Sequence, residues 1–225
     1  MVLAGLLAGM SVLALGAQQN TPAGARNIVR ISKYIISVSN AERSAAFYQG
    51  AFGIPFANGA TALPPSQPVP DLVQALTSVK APAMFRATLF AIPGAADDFV
   101  FEQTEFIGPP RPTERPRMQD PGASFLVLNV RDLDAAIAAV KRLGGRIVST
   151  GEQPVANNGN RAVFAADPDG AFIEMIQPPT VPPAGASKSL VFGSPRVAFV
   201  VADRSEEHTS ELQSLAYLVC RLLLE

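Results

Sequence analysis

The stretch SFLVLNVRDLDAAIAAV at residues 124–140 gives the clearest indication of the fold, because its plan occurs more than once in the chain. It consists of a β-rich run that ends in valine, a polar pair that can cap a helix, and an amphipathic helix. The stretch SKYIISVSNAERSAAFY at residues 32–48 has the same plan. A third strand-like run, PRVAFVVAD at residues 195–203, follows downstream. The sequence therefore predicts a repeated unit that begins with a strand and a helix.

Capping signals predict the ends of both helices. Ser39 and Glu42 have the spacing of a capping box, and Gly53 is a typical helix stop, so the first helix is predicted to end near Phe52. Asp132 is the predicted N-cap of the second helix. Apolar residues at helical spacing predict that the second helix buries one face, formed by Leu133, Ala136, Ile137, Val140 and Leu143.

Three strands are predicted after each helix, which makes each unit βαβββ. The clearest of them cover residues 84–92 and 99–106 in the first unit, and 146–150, 160–166 and 171–177 in the second. The motif DPDG at 167–170 predicts a tight turn between the last two strands, and the first unit carries an insertion at 57–83. The predicted fold class is α+β, with paired βαβββ modules that form a cup-shaped mixed sheet and helices on its outside.

Proline-rich stretches divide the chain into modules and linkers. The predicted organisation is a signal-like segment at 1–17, a first βαβββ module at 28–106, a linker at 107–121, a second module at 122–178, a linker at 179–190, and the first strand of a truncated third module at 191–203.

The N-terminal segment predicts where the protein resides. Residues 1–17 contain an apolar run from Val2 to Leu15 followed by small residues, which is typical of a signal peptide. The run is shorter than the roughly 20 apolar residues that span a bilayer comfortably. We therefore expect an exported protein, periplasmic or extracellular; the alternative is a protein that this segment anchors in the membrane.

The C-terminal stretch RSEEHTSELQSLAYLVCRLLLE, residues 204–225, reads in frame as the translation of a common sequencing-library adapter. We expect it to be an artefact and exclude it from the fold. It contains the single histidine of the chain, His208, and the single cysteine, Cys220. Without this stretch, disulfides and thiol catalysis are both excluded.

Composition narrows the possible partners. The chain has 18 basic and 19 acidic residues, and without the C-terminal stretch 16 and 15 remain, so the charge is close to balanced. No basic stripe is present, which argues against nucleic acid as a partner. A hydrophobic content of 48% with 16% charged residues predicts a globular protein with a substantial core.

Three separated segments resemble the vicinal oxygen chelate superfamily. They are AERSAAFYQGAFG at 41–53, DLDAAIAAVKRLGG at 132–145, and DPDGAFIEMIQP at 167–178. That superfamily includes glyoxalases, extradiol dioxygenases, epimerases, and fosfomycin- and bleomycin-resistance proteins. Because the three segments agree in order and role, the resemblance is specific for the fold, whereas one fold hosts many reactions.

The resemblance also implies where a metal site would lie. In the metal-dependent members, the ligands are a histidine five residues before the valine that closes the first strand and a glutamate in the last strand. In this chain those positions hold Lys33 and Glu102 in the first unit, and Phe125 and Glu174 in the second. Both histidines are missing, and two carboxylates are a poor match for zinc, iron or nickel. We therefore expect no metal cofactor.

Lys33 takes the place of a metal ligand, which suggests that its ammonium group neutralises the two glutamates. We expect Lys33 within about 4 Å of Glu102 and Glu174. The candidate ligand-binding residues are Lys33, Phe125, Glu102, Glu174 and Arg86. Arg86 and Arg161 lie on neighbouring predicted strands and are candidates for binding an anion. The alternative interpretation is that these are solvated charges with a purely structural role.

The sequence thus predicts a metal-independent protein of this superfamily that binds a small organic ligand. The alternative is a lyase, isomerase or dioxygenase-type enzyme in which Glu102 or Glu174 acts as general base, with or without a divalent metal. A module that binds no ligand is a third interpretation. Pairing with further modules or with a second copy of the chain is also expected.

Overall fold

The computed structural model describes residues 31–77, 79, 82–96, 99–110, 115–183 and 189–201. Within these ranges, ten strands and three α-helices follow one another. The segments predicted at 1–17 and 204–225 lie outside the described residues. Among the described helices, none has the length and apolarity that crossing a membrane requires.

The first unit forms a four-stranded mixed sheet. Its elements in chain order are β1 (Lys33–Val38), α1 (Ala41–Phe52), β2 (Gln67–Pro68), α2 (Asp71–Thr77), β3 (Met84–Phe90) and β4 (Val100–Ile107). The strand order is β1-β4-β3-β2, and β1 runs parallel to β4 while the other pairs are antiparallel. Because β2 lies in the insertion at 57–83, the insertion supplies the strand that completes the unit.

The second unit repeats this arrangement in a six-stranded sheet. Its elements are β5 (Ser124–Val130), α3 (Leu133–Arg142), β6 (Arg146–Ile147), β7 (Val155–Asn157), β8 (Asn160–Ala166) and β9 (Phe172–Gln177). With β10 (Val191–Phe199) at one edge, the strand order is β10-β5-β9-β8-β6, and β7 pairs with β8. The predicted α+β fold of βαβββ units is confirmed, with the strands divided between two mixed sheets.

The outer edge of the second sheet is the strand β10 (Val191–Phe199), which pairs antiparallel with β5. The sequence predicts a strand in this region as the beginning of a third unit. The structure confirms the strand and places it in the sheet of the second unit. That it begins a third unit stays a prediction.

The ends of the helices follow from side-chain caps. The Asn40 side chain accepts a hydrogen bond from the Arg43 amide at 2.6 Å, so Asn40 is the N-cap of α1 and the predicted cap, Ser39, is wrong. Ser39 instead donates its amide to Asp169 of the second unit at 3.0 Å, because the two units pack closely at this point. The predicted stop at Gly53 is confirmed, since its φ of 69° is left-handed.

A shared hydrophobic core holds the two units together. It contains Phe47 and Phe52 of α1 together with Leu126 of β5 and Ile173 of β9, all at most 1% exposed. Each sheet therefore turns one face to this core and the opposite face, here called its outer face, away from it. A smaller apolar cluster around Phe125 covers the outer face of the second sheet.

Gly94 fits against β10 because it has no side chain. Its φ is +86°, and a Cβ atom there would lie 2.8 Å from the Cα atom of Gly193. Gly94→Ala is therefore expected to lower the free energy of unfolding, measured by urea denaturation, by about 2 kcal/mol more than Gly59→Ala. Gly59 is the matched control, since its φ is +69° and no atom lies within 4 Å of the added Cβ. Equal losses would contradict the close contact between the Gly94 turn and β10.

Candidate functional site

The two glutamates of the predicted site lie in different sheets. Glu102 belongs to β4 of the four-stranded sheet, and Glu174 belongs to β9 of the six-stranded sheet. No hydrogen bond or ion pair joins them in the described part of the chain. The units meet through α1 and α3, and β10 occupies the edge of β5. The expected joint contact of Lys33 with both carboxylates is therefore not formed among the described residues.

In the first unit, Glu102 is bound by its neighbours on the outer face. The Lys33 ammonium lies 2.8 Å from Glu102 Oε2, and the Thr104 hydroxyl donates to Glu102 Oε1 at 3.2 Å. Glu102 is buried, whereas the Lys33 side chain is 48% exposed. The expected contact of Lys33 with Glu102 is present, and the expected contact with Glu174 is not. Both oxygens of Glu102 thus have partners within the protein.

In the second unit, Glu174 is buried and one of its carboxyl oxygens has no hydrogen-bond partner among the described residues. It is 1% exposed, and its Oε1 atom has no hydrogen-bond partner. Its cross-strand neighbours are Val127 of β5 and Phe164 of β8. Burial raises the pKa of Glu174 to about 7, although the charge of Arg196 acts to lower it. Near neutral pH this carboxyl group therefore exists in both protonation states.

Three aromatic rings lie on the outer face of the second sheet. Phe125 is fully buried, and its ring stacks on Phe172 with 5.4 Å between centroids. The Phe164 ring contacts Phe125 edge to face, also at 5.4 Å. Phe125 thus contributes an apolar wall on this face of the sheet.

A further residue of this face is Arg196 in β10. Arg196 pairs in register with Val127, which pairs in turn with Glu174, so the three side chains form one row across the sheet. Arg196 is exposed. In the ranges that the structure describes, it forms no ion pair. A guanidinium group that has no ion-pair partner among the described residues and a buried carboxyl group therefore lie on the same face.

Arg196 was not predicted as a site residue, although its spacing in the sequence pointed to it. Arg196 lies five residues before Val201, as Lys33 lies five residues before Val38 in the first unit. β10 therefore carries Arg196 at the position that Lys33 holds in β1. Arg196 was not predicted as a neighbour of Glu174 because this strand was assigned to a separate third unit.

Arg86 and Arg161, the two arginines that were candidates from the sequence, lie away from the outer faces that carry Glu102 and Glu174. Arg86 pairs in register with Glu105 and forms ion pairs with Glu105 at 3.0 Å and Glu42 at 2.5 Å. Since side chains alternate along β4, Arg86 and Glu105 lie on the face opposite to Glu102. Arg161 forms an ion pair with an aspartate of α3 at 2.8 Å. Carboxylates within the protein thus already neutralise both arginines.

The residues present do not fit a transition-metal site. The four positions that would carry ligands, Lys33, Glu102, Phe125 and Glu174, supply two carboxylates and no imidazole. These carboxylates lie in different sheets, and Lys33 already neutralises one of them. The described residues contain no group of three or more histidine, cysteine, aspartate or glutamate side chains placed to hold a metal. Such ions usually need three or more protein ligands.

Comparison with known proteins gives a family and a fold. The family model for the Glyoxalase/Bleomycin resistance protein/Dioxygenase superfamily matches residues 30–175. A glyoxalase family protein from Bacillus cereus has 14% identity and a TM-score of 0.53, and the match covers 68% of this chain and 95% of that chain. Glyoxalase I from Zea mays has 22% identity and a TM-score of 0.43, with 68% and 46% covered, so this chain spans about half of its length. No curated protein matches the sequence significantly.

Proposed function

Because this chain belongs to the Glyoxalase/Bleomycin resistance protein/Dioxygenase superfamily, we propose that it binds a small organic molecule without a metal, on the outer face of the second sheet. The observation that carries this proposal is the carboxyl group of Glu174, which is buried among aromatic rings with an unpaired oxygen. Glu102, at the matching position of the first unit, has both oxygens satisfied.

The energetics of an unpaired polar atom support a ligand at Glu174. A buried donor or acceptor without a partner costs roughly 1 to 3 kcal/mol. A ligand with a polar group beside Oε1 would recover this free energy, and its apolar part would contact the rings of Phe125, Phe164 and Phe172. Apolar walls with few polar groups are typical of small-molecule sites.

A second candidate function is an enzyme of the same fold in which Glu174 acts as general base. The observation that favours it is the pKa of Glu174, which burial raises to about 7. A general base works best when its pKa lies near the working pH. The donor set does not favour the form of this alternative that uses a divalent metal, because no group of three or more histidine, cysteine, aspartate or glutamate side chains surrounds Glu174 among the described residues.

Calorimetry and thermal unfolding distinguish metal-independent binding of a small molecule from the enzyme with Glu174 as general base. The full chain is first treated with EDTA. One sample is then titrated with Mn²⁺ or Zn²⁺ in the calorimeter, and a second sample is heated with benzyl alcohol as a neutral aromatic probe. We expect no saturable metal binding tighter than roughly 100 μM, and a rise in melting temperature with millimolar benzyl alcohol in the presence of EDTA.

Matched glutamine variants identify the residue responsible. Glu174→Gln should reduce the stabilisation by benzyl alcohol, whereas Glu102→Gln should leave it unchanged because Glu102 lies in the other sheet. Tight, stoichiometric metal binding that disappears in Glu174→Gln would overturn metal-independent binding and favour the enzyme.

A further inference from the structure

We propose that Asn58 is a site of spontaneous deamidation, and that the weakly held turn around it makes it more reactive than a second site with the same chemistry. The sequence has two asparagines that are followed by glycine, Asn58 before Gly59 and Asn158 before Gly159. All four residues are exposed, and neither asparagine side chain has a hydrogen-bond partner among the described residues. The two sites therefore differ mainly in the backbone that holds them.

The reaction uses the backbone nitrogen of the residue that follows the asparagine. The Gly59 nitrogen attacks Cγ of Asn58 and closes a five-membered imide ring. Its proton passes through water to the side-chain amide group, which leaves as ammonia. Water then opens the ring at either carbonyl, which gives aspartate or isoaspartate. Glycine favours the attack, because it has no Cβ atom to hinder the approach and its backbone rotates freely.

Each turn must open before the ring can close. Asn58 has a φ of 55° and a ψ of 27°, and Asn158 has a φ of 48°, so both asparagines are left-handed. Ring closure requires the glycine nitrogen to eclipse the Cβ atom of the asparagine, and a ψ of 27° keeps these two atoms apart. The rate at each site therefore depends on how often its turn opens.

The turn at Asn158 is held by strand pairing. Asn158 and Gly159 form the two-residue loop of the hairpin between β7 and β8, and positive φ at both positions is typical of a type I′ turn. Asn157 pairs with Asn160 at the base of this loop, and the pairing of β7 continues as far as Val155. Rotation at Asn158 disturbs this pairing, so the hairpin protects Asn158.

The turn at Asn58 is held by less. One hydrogen bond closes it, from the Ala60 amide to the Ala57 carbonyl at 3.2 Å. The chain leaves the turn in an extended conformation, and residues 60–66 belong to no strand or helix. We therefore expect Asn58 to react first. The product adds a carboxylate at the start of the insertion at 57–83, and isoaspartate also lengthens the main chain by one methylene group.

Peptide mapping by mass spectrometry measures both sites in one sample. The full chain is incubated at pH 8, either folded or in concentrated urea, and then digested with trypsin, which places the two asparagines in different peptides. In the folded protein, Asn58 should deamidate at least about tenfold faster than Asn158. In urea the two rates should agree within about twofold, because both asparagines precede glycine and no turn holds them.

Two variants test the role of each turn. Gly59→Ala should slow the reaction at Asn58 at least about tenfold and leave Asn158 unchanged. Val155→Pro removes a backbone donor from β7, so it should speed the reaction at Asn158 at least about threefold and leave Asn58 unchanged. An unchanged rate at Asn158 in Val155→Pro would contradict protection by the hairpin. Equal rates at the two sites in the folded protein, or an Asn58 that reacts only in urea, would overturn the proposal.

Discussion

Replacing Asp167 by alanine is expected to lower the free energy of unfolding by about 4 kcal/mol. Asp167 is 3% exposed and accepts three hydrogen bonds. They come from the Tyr48 hydroxyl at 3.1 Å and from the amides of Asp169 and Ala171 at 2.9 and 2.8 Å. Alanine would leave all three donors without this acceptor, and the Tyr48 hydroxyl is buried in the shared core.

Urea denaturation of three variants measures this effect. Tyr48→Phe removes one of the three donors and should cost about 1 kcal/mol. Asp120→Ala is the exposed control: Asp120 pairs with Arg117 at the surface, and its loss should cost less than about 1 kcal/mol. If Asp167→Ala were no more costly than Asp120→Ala, the buried network would not stabilise the contact between the units.

The second large effect is a dependence of stability on pH that originates at Glu174. Its pKa in the folded protein is about 7, compared with the ordinary value of 4.5. The folded protein therefore holds this proton more strongly than the unfolded chain does, so the free energy of unfolding falls as the pH rises from about 4.5 to about 7. Between pH 5 and pH 8.5 the expected loss is about 2.5 kcal/mol.

Glu174→Gln isolates this contribution, because glutamine does not titrate. The free energy of unfolding of both proteins is measured by urea denaturation at pH 5 and pH 8.5. The parent should lose about 2.5 kcal/mol more than the variant over this interval. Glu102→Gln is the matched control and should retain the loss. A parent and a Glu174→Gln variant with parallel pH profiles would mean that Glu174 is solvated and not buried.

Local patterns predicted most elements of the fold. The strand at 160–166, the cap at Asp132 and the stop at Gly53 are confirmed, because each depends on residues that are neighbours in sequence. Ser39 failed as a cap because Asp169, far away in sequence, competes for its hydrogen-bonding groups. The strand predicted at 146–150 is limited to Arg146–Ile147, since its partner β8 pairs with these two residues alone.

The candidate site was predicted only in part, because it also depends on contacts between residues that are far apart in the sequence. The contact between Lys33 and Glu102 follows from two strands of one unit that run side by side. That Glu102 and Glu174 lie in different sheets does not follow from either strand alone, because it depends on which strands pair with one another. Arg196 reaches the row of Glu174 through the antiparallel pairing of β10 with β5.

The order of residues alone was enough to predict the repeated βαβββ units and the strands that carry Glu102 and Glu174. These are properties of side-chain order and short-range periodicity. Only the tertiary structure decided that Lys33 neutralises Glu102 alone, and that Glu174 is buried among aromatic rings in a row with Arg196. The physical reason is that burial and charge pairing depend on contacts between distant strands, and their free energies are set by the packing of the whole core.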